Sequence, residues 1–314
     1  MFDKAAMLFL YAETSLHAGS GTRLGIVDLP IQRERTTGYP MIQASGLKGC
    51  LRDGADGDSQ KVKIIFGPDT QQASDHAGAL SVGDARILLF PVRSLVGVFA
   101  WITSQNVLVR LKREAEMTGL SGSWNPVGPP NDGTALVADG NILIANGKVV
   151  LEEFAFTAQT DKRVNEIANW LKDKALPAGD EYACWRDALE KRLVILPENA
   201  FRDFVQLSTE VIARVRIDDT RKTVERGALW TEEHLPSETL LYSTLFASKP
   251  RVQNPPSDLQ DAAAVLNFVK AAIDGKRLQI GGDATVGRGI VKVRVVDAQT
   301  QIQQGSATPS GGQP

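Results

Sequence analysis

The chain has 314 residues, 43% of them hydrophobic and 23% charged, with a formal net charge of −2 from 35 Lys and Arg against 37 Asp and Glu. This composition excludes a disordered or fibrous protein and leaves enough chain to bury a sizeable core. It also excludes polyanion binding through the whole surface, so any nucleic-acid contact must rest on local basic clusters.

The apolar run Ala5 to Tyr11 is short, lies between Asp3 and Glu13, and has no small-residue cleavage site. It predicts a buried first strand, Met7 to Ala12, rather than a signal segment. A glycine-bearing connection then leads through Asp28 to Gly38. Ser45 is placed to cap a short helix over Gly46 to Asp53. Leu80 to Val92 and Val96 to Ile102 read as strands, Ser104 to Met117 as a helix, and the Gly- and Pro-punctuated Ser121 to Thr134 as a loop. Asn146-Gly147 between apolar runs predicts a hairpin within Ile142 to Phe156. Helices follow near Lys162 to Lys174 and Glu181 to Leu193. Leu207 to Leu229 alternates like an exposed β-arm, Leu240 to Phe246 resembles a strand, and Leu259 to Ile273 is an amphipathic helix. Leu278 to Ile280, a glycine-rich turn and the strand Ile290 to Val296 close the ordered chain. Strand-helix-strand-strand near the N-terminus, completed by a helix and strand near the C-terminus, suggests an α+β, ferredoxin-like β-α-β-β-α-β unit. No run reaches membrane-spanning length, so the cytoplasm is the expected location.

Four clusters could carry chemistry. The first runs from Leu16 through His17, Ser20 and Asp28 to Arg33, Glu34 and Arg35. Pro30 follows closely, and an acid beside it could bind a divalent metal or orient a 2′-hydroxyl while the arginines hold phosphate. The plain alternative is a loop aspartate with surface arginines. The second, Ser45 to Arg52, sets a helix N-terminus beside Lys48 and Arg52, an arrangement suited to phosphate and equally to an ordinary solvated helix. The third, Gly281 to Gly289, holds Gly282, Thr285, Gly287 and Arg288 between apolar strands, where RNA backbone could lie on the main chain. The fourth, Val211 to Trp230, contains Arg214, Arg216, Arg221, Lys222 and Arg226 against three acids as far as Gly227. A basic hairpin of this kind can wedge into a nucleic-acid helix, with Trp230 beside it, or simply be solvated. Cys50 and Cys184 form no CxxC site, and His17, His76 and His234 lack zinc-ligand spacing.

Together, LHAGSGTRLGIVDLPIQRERTTGYP, SGLKGCLRD, ERGALWTEEHLP and IGGDATVGRGIVKV resemble, in order and position, the RAMP-superfamily backbone subunits of type III-B (Cmr) CRISPR effector complexes. The VDLPIQRE run is specific to that subunit; the glycine-rich loop marks only the superfamily. The resemblance implies a ferredoxin-like (RRM-like) palm with large insertions and a protruding β-hairpin thumb. Residues 1–302 would form one domain, with insertions at about 103–200 and a thumb at about 207–236, ahead of a disordered tail at 303–314. It further implies copies polymerised along crRNA, each thumb displacing a base pair so that target RNA is cut once per subunit. Partners would be crRNA, target RNA, further copies, a large polymerase/cyclase-type subunit, a small helical subunit and other RAMP subunits. Asp28 matches the catalytic aspartate and would hold Mg²⁺ or Mn²⁺ or act as base. His17, Lys48 and Glu232 match positions near the cut or along the guide. Metal-assisted transesterification would leave 2′,3′-cyclic phosphate and 5′-hydroxyl ends. Ala44-Ser45-Gly46 departs from the commoner Gly-Ser-Ser. The competing readings are a non-catalytic scaffold of the same superfamily, a guide-processing endonuclease using His17, and an unrelated metabolic enzyme of ferredoxin-like fold.

Overall fold

The computed structural model describes residues 2–298 except 23–24, 56–58, 70, 72–73, 121, 123 and 219; the side chains of residues 59, 226 and 227 are also outside the description. The expected tail at 303–314 therefore lies outside the described residues.

Strand β1 (Lys4–Ala12) is buried at every position from Ala6 to Ala12. It is apolar without alternation because both its faces are covered, as in a central strand. Its neighbours are β13 (Leu240–Ala247) and β15 (Ile290–Val296), both antiparallel, and β13 continues antiparallel to β4 (Ala85–Ser94). The central order is thus β15-β1-β13-β4. Helix α1 (Ala44–Gly54) lies between β1 and β4 in the chain, and α7 (Ala262–Ile273) between β13 and β15; α7 packs on β1 and β13. Val96 to Ile102, grouped with the N-terminal core from sequence, behaves differently. The observed β5 (Val98–Ser104) leads out of the central group, and β13 stands between β1 and β4 instead.

From β5 the sheet runs on through β10 (Leu193–Leu196), β6 (Thr134–Val137), β9 (Phe154–Thr160), β8 (Lys148–Leu151) and β7 (Ile144–Ala145). A bridge between Ser94 and Leu151 brings β8 back against β4, so these outer strands close into a ring. The segment expected as a helical and loop insertion thus adds several strands to the sheet. It also carries α3 (Gln105–Met117), capped by Ser104, and α4 (Lys162–Lys174), capped by Asp161. Asn146 and Gly147 both have positive φ, as the two-residue turn between β7 and β8 requires.

Between α4 and the arm, α5 (Ala183–Arg192) runs into β10, and α6 (Glu198–Leu207) follows. The arm itself is a separate two-stranded ribbon, β11 (Glu210–Ile217) and β12 (Val224–His234). Val211, Val215, Ile217, Val224 and Leu229 on this arm are exposed, so the apolar face seen in its sequence is uncovered. The cap expected at Ser45 is corrected. Gln43 is the residue before the helix and makes no side-chain cap bond, and Ser45 lies inside the first turn. The free N–H of Ala44 donates instead to Asp84 Oδ1 at 2.8 Å.

Candidate nucleic-acid interface and cleavage site

Strand β12 organises the site because the Asp28 segment lies along its open edge. Leu29 N donates to Thr231 O (3.0 Å) and Glu233 N to Leu29 O (3.0 Å), a parallel bridge of Leu29 to Glu232. Successive side chains on a strand point to opposite faces. Trp230, Glu232 and His234 therefore share one face of β12, and Thr231 and Glu233 share the other.

Asp28 belongs to the Thr231 face. Its Oδ2 accepts from Thr231 N (2.8 Å) and Thr231 Oγ1 (2.9 Å), while Asp28 N donates to Thr231 Oγ1 (3.0 Å). Oδ1 has no hydrogen-bond partner among the described residues, and the side chain is exposed. The bond from the Thr231 backbone N–H, then that from its hydroxyl, hold the Asp28 carboxyl below the usual range. Ile26, two residues earlier, is fully exposed. Glu233, on the same face but buried, accepts from Ile31 N (3.0 Å), Thr209 Oγ1 (2.8 Å) and Arg33 (2.5 Å). Arg33 also donates to the Gly38 and Val205 carbonyls. Its guanidinium, expected at phosphate, is committed to the fold. Arg35 remains exposed.

The opposite face is crowded and closed. Glu232, expected at the cut, is 7% exposed and has both oxygens engaged: Oε2 with Arg214 at 2.8 Å, Oε1 with Trp230 Nε1 at 2.8 Å. Arg214 reaches on to Asp283 (3.4 Å), and fully buried His234 contacts Asp283 through Nε2 (3.1 Å). Burial works against ionisation of Asp283, but the His234 hydrogen bond and the Arg214 charge outweigh it and lower its pKa. Glu232, His234 and Asp283 lie close enough to suggest metal ligands. A cation fits poorly here, because the Arg214 guanidinium already lies against both carboxylates and Glu232 has both oxygens engaged. Arg214 and Trp230, expected on RNA, are thus held at the base of the arm.

His17 links the arm to the glycine-rich loop. Its Nδ1 lies 2.6 Å from Glu233 O, which makes that nitrogen the donor, and its ring packs on His234 with centroids 5.3 Å apart. Its carbonyl accepts from Gly282 N (2.9 Å). Gly281 has φ +81°, and a Cβ there would collide with the same carbonyl, so the close approach demands glycine. Thr285 and Gly287 are exposed, and half-buried Arg288 reaches Glu210 (3.4 Å). Ser20 is exposed with its hydroxyl on Pro30 O (3.1 Å).

Along α1, Ser45 is exposed and Lys48 is half-buried, donating to Leu80 O (2.8 Å). Burial, then the charges of Arg52 and Arg251, lower the Lys48 pKa. Arg52 is paired with Asp69 (2.6 Å). On the arm, Arg216 is largely exposed beside Glu225 (3.3 Å), and Arg221 and Lys222 project at the turn. Arg226 lies on β12, with its side chain outside the described residues.

The site is an open surface. Cavities of about 540 Å³ against Phe154 and Phe204 and about 440 Å³ against Phe2 and Phe246 include none of the Asp28 segment. Sequence reasoning missed Thr231 and Asp283. The signals available were the adjacency of Thr231 to Glu232 and a single acid within the glycine-rich turn.

The model of the RAMP superfamily matches residues 9–292. The chain is 44% identical over 294 residues to the CRISPR system Cmr endoribonuclease Cmr4 of Pyrococcus furiosus, covering 92% of this chain and 95% of that one. It is 28% identical over 312 residues to the CRISPR system CMR subunit Cmr4 of Saccharolobus solfataricus, covering 91% and 94%. The crystal structure of oligomeric Cmr4 from Pyrococcus furiosus superposes with a TM-score of 0.72 at 35% identity, covering 94% and 98%. No helix among the described residues is long and apolar enough to cross a membrane.

Proposed function

The chain belongs to the RAMP superfamily, and on that premise we propose that it is a backbone subunit of a type III-B CRISPR effector complex that cleaves target RNA. The observation that carries this reading is the Asp28 carboxylate. It is exposed, it is oriented by the arm, and it keeps one oxygen unengaged, in a chain 44% identical to a named endoribonuclease.

The β15-β1-β13-β4 order, with α1 and α7 as crossovers, supports a ferredoxin-like palm; the β11–β12 ribbon is its thumb. Residues 1–302 are one elaborated domain, and the complex works in the cytoplasm. Copies line up along crRNA, with large, small and other RAMP subunits completing the assembly. The phosphate backbone runs past Lys48 on α1, past Arg35, and past Arg216, Arg221, Lys222 and Arg226 on the thumb. Ser20, Ser45 and the loop of Gly282, Thr285, Gly287 and Arg288 offer close main-chain approach.

At the cut, a target nucleotide pried out of the duplex presents its 2′-oxygen in line with the scissile phosphate, a geometry that regular A-form pairing denies. The 2′-hydroxyl gives up its proton to water and its oxygen bonds to phosphorus as the P–O5′ bond breaks; the leaving 5′-oxygen takes a proton from water, leaving a 2′,3′-cyclic phosphate and a 5′-hydroxyl. A carboxyl held below its ordinary pKa stays ionised at neutral pH and is a weak base, which favours a ligand or orienting role. Its single open oxygen fits Mg²⁺ or Mn²⁺, ions held by one or two carboxylates together with substrate phosphates. Bound there, the ion would supply charge neutralisation at the phosphate. His17 and Glu232 support this geometry by fixing the loop and the thumb base.

The test is target-RNA cleavage by reconstituted complex carrying Asp28→Asn. Cleavage at regular intervals should fall by about 100-fold or more, with crRNA binding and assembly retained. Unchanged cleavage would identify a scaffold instead.

A further inference from the structure

We infer that Thr231 is the positioning residue for Asp28, and that through it the thumb strand sets the direction of the carboxylate. This deepens the proposed function and rests on Asp28 acting at the cut.

The geometry is reciprocal. A threonine hydroxyl has one hydrogen to donate and lone pairs to accept with. Thr231 Oγ1 uses both, donating to Asp28 Oδ2 at 2.9 Å and accepting from Asp28 N at 3.0 Å. The Thr231 backbone N–H adds a second bond to the same Oδ2 at 2.8 Å. Oδ2 is thereby fixed by two donors, and the rotation that remains to an exposed aspartate is removed. Oδ1, on an exposed side chain, is left with no partner among the described residues. Only 203 residues along the chain is the pair completed, across the bridge of Leu29 to Glu232.

Thr231 lies on β12, the strand that rises into the exposed tip of the thumb. Its cross-strand partner is Ala213, so it is built into the ribbon rather than hung from a loop. Downstream, Ile31 N is held by Glu233 Oε2 and Gln32 N by Ala18 O, so the anchors of the Asp28 segment among the described residues run to β12 and to the Ala18–Ser20 stretch. Ser20 N and Oγ hold the Pro30 carbonyl, and Leu29 pairs with β12 itself. A thumb seated between nucleotides therefore carries Thr231, and with it Oδ2, to a defined place. Aligned groups displaced by about an ångström lose on the order of a hundredfold in rate. A single bond that orients a reacting carboxylate falls in that range.

The experiment uses the reconstituted complex with four versions of this subunit: wild type, Asp28→Asn, Thr231→Val and Thr231→Ser. Valine matches threonine in shape and lacks the hydroxyl; serine keeps it. Single-turnover cleavage and target-RNA affinity are measured together. Thr231→Val is expected to cut about ten- to a hundredfold more slowly, with target affinity and cleavage spacing unchanged, and Thr231→Ser to cut within a few-fold of wild type. Wild-type cleavage by Thr231→Val, alongside a dead Asp28→Asn complex, would overturn the inference and leave the proposed function standing. Equal slowing in Val and Ser, or loss of target affinity in step with rate, would also overturn it, since side-chain shape would then matter and not the hydroxyl. Full cleavage by Asp28→Asn would instead overturn the function on which the inference rests.

Discussion

The two faces of β12 differ in charge and in freedom. One gathers Asp283, Arg214 and Trp230 into a hydrogen-bonded and ion-paired network around the buried Glu232 and His234, with His234 Nδ1 left without a partner among the described residues. The other presents a single exposed carboxylate at Asp28, tied on one side and open on the other. The richer cluster looks more like an active site, yet its acids and cation are spent on one another. A density of ionisable groups is weaker evidence for chemistry than one unsatisfied oxygen in a fixed direction, because buried pairs serve structure as readily as catalysis.

The largest effect that sharpens this contrast is expected at Arg214. Arg214→Ala leaves the buried Glu232 and the partly buried Asp283 without their cation, at a cost of about 2 kcal/mol for the lost charged hydrogen bonds. Thermal melting should drop by several degrees, while a complex that still assembles keeps its cleavage pattern. An unchanged melting temperature would break the description of this face as a lock.

A smaller effect lies just beyond β12. Burial pushes the Glu238 carboxyl up to about 7, and its Oε2 is buried without a partner among the described residues. The folded protein then keeps this proton up to about pH 7, whereas the unfolded chain releases it near pH 4.3. Between those values the folded state binds more protons, so this group's contribution to stability falls as pH rises. Glu238→Gln should flatten that decline, raising the melting temperature relative to wild type at pH 8 more than at pH 5. An equal shift at both would contradict the assignment.

Legibility in the sequence followed the range of the interactions. Helix α4 was readable to the residue because Asp161 caps it and its apolar positions recur at helical spacing. Strand β10 was not, since four apolar residues after a helix carry no period that separates strand from helix. The Ser45 cap failed because Asp84, 40 positions from Ala44, supplies the acceptor. Asp28 stood out through its motif, whereas its partner Thr231 lies 203 residues away and nothing local marks it. Glu232 and Glu233 are adjacent acids, and only the pairing of β11 with β12 decides which face each one takes. Glu233 takes the Asp28 face but is buried against Arg33, so neither acid is open to solvent. Arg33 and Arg35 divide in the same way, one inward on Glu233 and one exposed.

The most direct measurement compares Asp28→Asn with Glu232→Gln in the same reconstituted complex, scoring target cleavage per assembled particle. The account predicts loss of cleavage by about 100-fold or more for Asp28→Asn and rates within a few-fold of wild type for Glu232→Gln. The reverse result, a silent Glu232→Gln particle and an active Asp28→Asn particle, would contradict it.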